Sequence, residues 1–309
     1  MSMHSPRTGR NRWWIIPIIA LLAAGTAVLV ALALTPNDPP ESALIPWTPS
    51  PRATTEATAA PFDEVTLAVP QQRFIAAVDD TLAWRTDAGA CPTSMVWPEL
   101  TTTGGDAWAR FDASTTTAAS GVLSLGAVAE GVVGMVTRST ADCGSYQFTS
   151  LVEESWQAVS NEAIADEWYF VPGQGPVAYL LGTAHATPCD PAGIASRGSL
   201  EVAVLCADGR VVRSVDGAVT WDDGFAIAGA SVITATPDGY LTGGLGRTEC
   251  QGVELRGLTP SPSNADGLVA GCFVSVATPG NVAMSAVPGA LWVWAGTSLG
   301  ISSDGGATW

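Results

Sequence analysis

The chain has 309 residues and a net charge of −16, from 13 basic residues, all arginine, against 29 acidic ones. An acidic surface of this kind repels a phosphate backbone and argues against nucleic acid as a partner. Charged residues are only 14% of the chain while glycine (33) is abundant, which argues against a helical bundle and for many short strands joined by tight turns.

Arg7, Arg10 and Arg12 lie in residues 1–12, and Trp13 to Leu34 then runs without a charge. As a helix that run spans about 33 Å, enough to cross a bilayer core. Asp38 and Glu41 follow it. The excess of arginine on the N-terminal side predicts a cytoplasmic tail (1–12), a single-pass signal-anchor helix (13–34) and an extracytoplasmic remainder. Cleavage after Ala31-Leu32-Ala33 is the alternative, although a signal peptide's apolar region is usually shorter, about 7–15 residues. No cysteine follows the helix to carry a lipid. Residues 35–63, rich in Pro, Thr and Ala, cannot bury a core and read as an extended linker.

Residues 64–309 carry all six cysteines: Cys91, Cys143, Cys189, Cys206, Cys250 and Cys272. An even number on the exported side predicts disulfides. Sequence order suggests 91–143, 189–206 and 250–272, one of 15 connectivities. No C-x-x-C pair points to zinc.

The same region repeats. Ser214 to Trp221 reads SVDGAVTW and Ser302 to Trp309 reads SSDGGATW, with a weaker copy, RTDAGACP, from Arg85 to Pro92. Asp87 and Asp216 are 129 residues apart, three periods of 43, and Asp216 and Asp304 are 88 apart, two periods of 44. A period near 43 fits one four-stranded propeller blade. Short β-type runs agree: 65–69, 74–78, 81–86 and 95–97 as a first blade, 122–127, 132–137, 146–152 and 156–159 as a second, and 231–235, 240–245, 253–258 and 268–274 as a later one. The runs 282–287, 291–295 and 298–302 begin a last blade that stops at Trp309 without a fourth strand. Residues 168–199 show no clear pattern. The expectation is an all-β propeller of about six four-stranded blades, closed either by the segment near Phe62 to Glu64 or left open at the last blade.

These octapeptides resemble the Asp-box, or bacterial neuraminidase repeat, of pattern S-x-D-x-G-x-T-W. Ser302, Asp304, Gly306, Thr308 and Trp309 match it in full. Ser214, Asp216, Thr220 and Trp221 match with Ala218 at the glycine position, and the first copy keeps only Asp87 and Gly89. The resemblance implies a hairpin between third and fourth strands, with the aspartate accepting turn N–H groups and the tryptophan wedged into the apolar layer. That role is structural. With its anchor and all-arginine composition, the chain most resembles membrane-anchored repeat proteins of actinobacterial type.

The enzyme implied by the resemblance is a sialidase, whose members share an arginine triad, a tyrosine–glutamate pair and an acid/base aspartate. Their F/Y-R-I-P motif is not matched by Gln72-Arg73-Phe74-Ile75, and no catalytic residue carries over. Gly296 to Gly300 fits G-x-S-x-G, but a strand follows it and no histidine lies downstream. His185 stands alone outside the N-terminal tail and reads as a loop residue, so neither metal nor cofactor is expected. The paired acids Asp79-Asp80, Glu153-Glu154 and Asp222-Asp223 read as turns. Asp-box propellers such as those of sortilin-like receptors and photosystem II assembly factors bind proteins or peptides. The expectation is therefore a non-enzymatic binding or assembly module of the cell envelope, with a protein, peptide or glycan partner. A sialidase-like glycoside hydrolase is the alternative, and it requires three arginines to converge near a tyrosine–glutamate pair.

Overall fold

The computed structural model describes residues 68–309, apart from 130–131, 145, 153–154, 159–165 and 265. The expected tail (1–12), anchor helix (13–34) and linker (35–63), and the segment near Phe62 to Glu64, lie outside the described residues. Among the described residues, no helix is long and apolar enough to cross a membrane.

The described residues fold into six antiparallel sheets, each a meander. The first holds β1 (Arg73–Ala77), β2 (Ala83–Asp87), β3 (Glu99–Thr101) and β4 (Ala109–Arg110). The second holds β5 (Ala119–Ala129), β6 (Val132–Ser139), β7 (Tyr146–Val152) and β8 (Ser155–Ala158). The third has three strands: β9 (Trp168–Phe170), β10 (Val177–Leu180) and β11 (Thr183–Ala186). The fourth holds β12 (Pro191–Ser196), β13 (Val202–Cys206), β14 (Arg210–Ser214) and β15 (Phe225–Ala226). The fifth holds β16 (Ala230–Thr236), β17 (Gly239–Gly244), β18 (Gly252–Leu258) and β19 (Leu268–Val274). The sixth again has three: β20 (Val282–Val287), β21 (Ala290–Ala295) and β22 (Ser298–Ser302).

The expected all-β propeller is present, but not as about six uniform four-stranded blades. Among the described residues only four sheets have four strands. Of the predicted run 65–69, residues 65–67 lie outside the described residues and Ala68 and Val69 belong to no strand; the inner strand of the first sheet is β1.

The core lies between neighbouring sheets rather than inside one. Trp84, Val122, Met135 and Trp156 fill the layer between the first two sheets. Leu123, Val136, Tyr169 and Val171 join the second to the third, and Trp168, Ala178 and Val202 the third to the fourth. Leu205, Ile233 and Tyr240 pack the fourth on the fifth, and Leu255, Phe273, Met284 and Leu291 the fifth on the sixth. Ile75, Ala77, Ala83, Ala283 and Trp292 then seal the sixth against the first. Each strand alternates its side chains, so both faces of a sheet bury apolar residues against a neighbour.

The disulfides are Cys91–Cys143, Cys189–Cys206 and Cys250–Cys272, with Cα separations of 5.6–5.8 Å, within the usual range. Cys91–Cys143 links loops of the first and second sheets. The other two hold loops to their own sheets.

The octapeptides occupy turns, with one correction. Ser214 and Ser302 end third strands, and each hydroxyl accepts the N–H four residues on, from Ala218 (2.9 Å) and Gly306 (2.8 Å). Asp216 accepts the N–H groups of Val219 and Thr220 and the Thr220 hydroxyl; Asp304 accepts the N–H and hydroxyl of Thr308. Trp221 and Trp309 follow as plugs: Trp221 donates to the Ala186 carbonyl, and Trp309 packs on Phe273 at 4.7 Å. Gly306 sits at φ +99°, and Ala218 occupies the matching left-handed position at φ +65°.

The weak copy at Asp87 and Gly89 is not an equivalent turn, because it follows the second strand of its sheet rather than the third. Asp87 is exposed and pairs with Arg73 at 3.3 Å. The equivalent turn in the first sheet is Thr101 to Trp108. There Thr101 Oγ1 accepts from Gly105 N–H, Thr103 stands where the other turns have aspartate and accepts from Ala107 N–H, and Trp108 follows at the same spacing.

Hydrogen bonds hold both aspartates near the bottom of the carboxylate range. Asp216 is lowered to about 2, chiefly by the Thr220 hydroxyl, and Asp304 to about 2, chiefly by the Ser302 hydroxyl. A carboxylate held below its unfolded value stabilises the fold above about pH 4, and that contribution is lost as pH falls through about 2. The double substitution Asp216→Asn/Asp304→Asn is therefore expected to flatten the fall of the melting temperature between pH 4 and pH 2. A profile parallel to that of the parent protein contradicts the assignment.

Candidate functional site: a one-ended channel

Six strands converge at the middle of the ring: β1, β5, β9, β12, β16 and β20. Ala77, Gly126, Ala195, Ser196, Thr234 and Ser285 line the channel, together with larger residues such as Phe74, Glu167 and Met284. The channel encloses about 270 Å³.

One strand runs against the others. Glu167, just before β9, lies beside Gly126, far along β5, whereas Val171, just after it, packs with Leu123, nearer the start of β5. The Ser196 hydroxyl at the end of β12 donates to the Asp166 carbonyl, fixing the same polarity. A three-stranded meander that leaves the ring at the same face as its four-stranded neighbours must enter from the opposite face, so the odd strand count and the inversion are one fact.

A strap closes one mouth. Ala68 is buried against the fourth sheet and its N–H donates to the Ala207 carbonyl at 2.9 Å. Gln71 N–H donates to Ala192 O at 3.2 Å, and Gln72 N–H to Gly280 O, before β1, across the ring, at 2.9 Å. Residues 68–72 thus cross from the fourth sheet to the junction of the sixth and first. Gln71 forms the inner end of the channel. The opposite mouth, at the ends of β1, β16 and β20, is rimmed by Ala77, Thr234, Ala235, Ala286 and Val287. Outside the strap lies a second cavity of about 800 Å³, bounded by Pro70, Arg73, Asp87, Ser94 and Asn281.

Glu167 is the ionisable group of the channel lining. Burial raises its carboxyl to about 7, with the Ser124 hydroxyl acting the other way. An apolar wall disfavours the charged form unless a counter-charge is supplied.

The arginines are engaged elsewhere and apart. Arg73 pairs with Asp87 and stacks on Trp294 at 4.2 Å; Arg138 donates to the Cys143 carbonyl; Arg197 pairs with Glu201, and Arg210 with Asp208. Arg213 bridges Asp222 and Asp266, while Arg247 and Arg256 share Glu254. None of these seven lines the channel.

Of the other motif residues, Gly296 and Thr297 form the turn from β21 into β22, and Ser298 to Gly300 lie on β22 itself. His185 lies on β11, not in a loop, with its ring 4.9 Å from that of Trp168. Asp79 accepts N–H groups of Thr81 and Leu82 in the β1–β2 turn, as paired acids in turns do. Glu153-Glu154 lies outside the described residues.

No family model matches the sequence. No curated protein matches it either. Solved structures resembling it include YCF48 bound to D1 peptide, 12% identical, with a TM-score of 0.41 over 77% of this chain and 93% of that one. The WD40 β-propeller domain of Doa1 is 11% identical, with a TM-score of 0.43 over 76% and 93%. GH43B of the Bacteroides ovatus xyloglucan PUL is 9% identical, with a TM-score of 0.35 over 75% of this chain and 49% of that one. At these identities the likeness concerns the fold alone.

Sequence reasoning missed Glu167 and the strap. The one signal for Glu167 was Gly126, a glycine inside a strand, which marks close approach by another group. A Cβ there would lie 2.7 Å from the Glu167 carboxylate.

Proposed function

We propose that this chain is a membrane-tethered, extracytoplasmic binding module of the cell envelope, which engages a protein or peptide at the open mouth of its channel. The observation that carries this reading is the channel itself: closed by the strap at one end, open at the other among the described residues, and wide enough to admit a projecting group. The engagement of the seven arginines away from the channel also favours binding over sialidase-type hydrolysis, which needs three of them at one carboxylate. The tether reading rests on the uncharged run 13–34 behind Arg7, Arg10 and Arg12, with residues 1–12 cytoplasmic, 35–63 a spacer and 64–309 outside. The two S-x-D turns with their tryptophans support placing the repeat with the Asp-box propellers.

The test uses the full-length protein in nanodiscs against arrayed envelope proteins, peptides and glycans, with a fluorogenic sialoside in parallel. Specific retention of a protein or peptide, abolished by Ala286→Trp at the open rim, is the expected result. Sialoside turnover that disappears when one of the seven arginines is replaced would overturn it.

A further inference from the structure

We propose that the open half of the channel receives one cationic group, a primary ammonium or guanidinium carried by a side chain of the partner, with Glu167 as its counter-charge. The proposal deepens the binding reading and rests on it.

Geometry comes first. The carboxylate of Glu167 lies directly against Gly126, where a Cβ would meet Oε2 at 2.7 Å and push the carboxylate aside. The group is therefore seated against the channel wall, on the cavity. Among the described residues it has no ion-pair partner, although every arginine discussed above has an acidic or carbonyl partner of its own. An acid set into a cavity wall without a counter-charge is costly, and cations are what offset that cost.

The surroundings select the ligand further. Among the described residues no other ionisable side chain lines the cavity from β1, β5, β12, β16 or β20, and adjacent Asp166 is exposed to solvent. The walls offer methyl groups and hydroxyls, including those of Ser196, Thr234 and Ser285. This suits an alkyl stem with a charged tip, the shape of a lysine or arginine side chain. At about 270 Å³ the cavity falls just below the range of about 300–1,000 Å³ typical of sites for drug-sized ligands, so one side chain fits better than a folded ligand. A carboxylate ligand would meet like charge, and a neutral alkyl group would leave the acid unpaired. The net charge of −16 concentrates cations around the molecule as a whole.

Proton linkage follows. A cation binds the ionised carboxyl, which in the free protein titrates near 7. Affinity is therefore expected to fall about tenfold from pH 8 to pH 6.

The experiment measures binding of Nα-acetyl-lysine methylamide to the full chain by ligand-observed NMR, with Nα-acetyl-norleucine methylamide as the uncharged match. The lysine probe is expected to bind at least tenfold tighter at pH 8, and the difference is expected to shrink at pH 6. Glu167→Gln removes the preference, and Gly126→Ala, which unseats the carboxylate, weakens it; thermal melts of both variants establish that they fold. Equal binding of the two probes, or a lysine preference unchanged in Glu167→Gln, overturns the proposal. If that happens while peptide capture persists, the cation site falls and the binding reading stands. If capture fails while the Glu167-dependent preference holds, the converse applies.

Discussion

Replacing Trp292 by alanine is expected to lower the free energy of unfolding by about 3–5 kcal/mol. Trp292 lies on β21, fully buried, in the layer that joins the last sheet to the first with Ile75, Ala77 and Ala83. Its indole N–H donates to the Asp79 carbonyl at 2.8 Å, a contact spanning 213 residues of sequence. Truncation leaves a cavity, removes the apolar contacts that close the ring, and orphans a carbonyl in the β1–β2 turn. Chemical denaturation of the parent and variant proteins reads the difference. Trp309→Ala is the internal comparison: that ring is 41% exposed and its loss costs less. A loss below about 1 kcal/mol at Trp292 would mean that the sixth and first sheets do not meet as described.

Arg213→Ala is expected to cost a similar amount, about 3–5 kcal/mol, by a different route. Its side chain is only 3% exposed and pairs with Asp222 at 2.7 Å and with the equally buried Asp266 at 2.8 Å. It also donates to the Thr259 carbonyl, tying the β14 turn to the loop after β18. Burial pushes the Asp266 carboxyl up, but N–H groups of Thr259 and Ser263 and the Arg213 guanidinium outweigh it and hold it below the usual range. Removing the arginine strands a charge that has no water to turn to. The loss need not signal net attraction in the intact network, because most of it is the cost of an unpaired buried anion. A double-mutant cycle with Asp266→Ala separates the two, with an expected coupling of about 0.5–3 kcal/mol. Strict additivity would place the two groups in independent environments.

How much of this was legible in the sequence depends on which force shapes each element. Short β-type runs located β20 at Val282–Val287 to the residue, and found β17, β18 and β19 within a residue or two, because such runs are bounded by the Gly, Pro and Asp of tight turns. The cysteines pair in sequence order because a meander keeps neighbouring loops close, as at Cys189–Cys206 and Cys250–Cys272, and because consecutive sheets lie side by side, as at Cys91–Cys143. The first sheet's turn escaped because Thr103 replaces aspartate with a weaker acceptor, leaving only the hydroxyl of Thr101 and the tryptophan seven residues on as signal. The search settled on Asp87 and Gly89 instead, which share letters with the turn but not its place in the sheet. The third sheet was illegible for two reasons. Its strands are three or four residues long, too short to show a period. Strand direction, moreover, leaves no trace in apolar spacing. Glu167 was hidden because glutamate is normally a surface residue, and only the fold reveals that this one faces the channel.

The strap has a mechanical consequence. The chain joins the ring by crossing it along a diameter, so tension on the N-terminus is applied over the axis and not at the rim. The load falls first on the bond from Ala68 to Ala207, then on those from Gln71 to Ala192 and from Gln72 to Gly280, which peel one after another. Because Gln71 also lines the channel, a pull on the chain ahead of the strap and any occupant of the channel would act on opposite sides of the same wall.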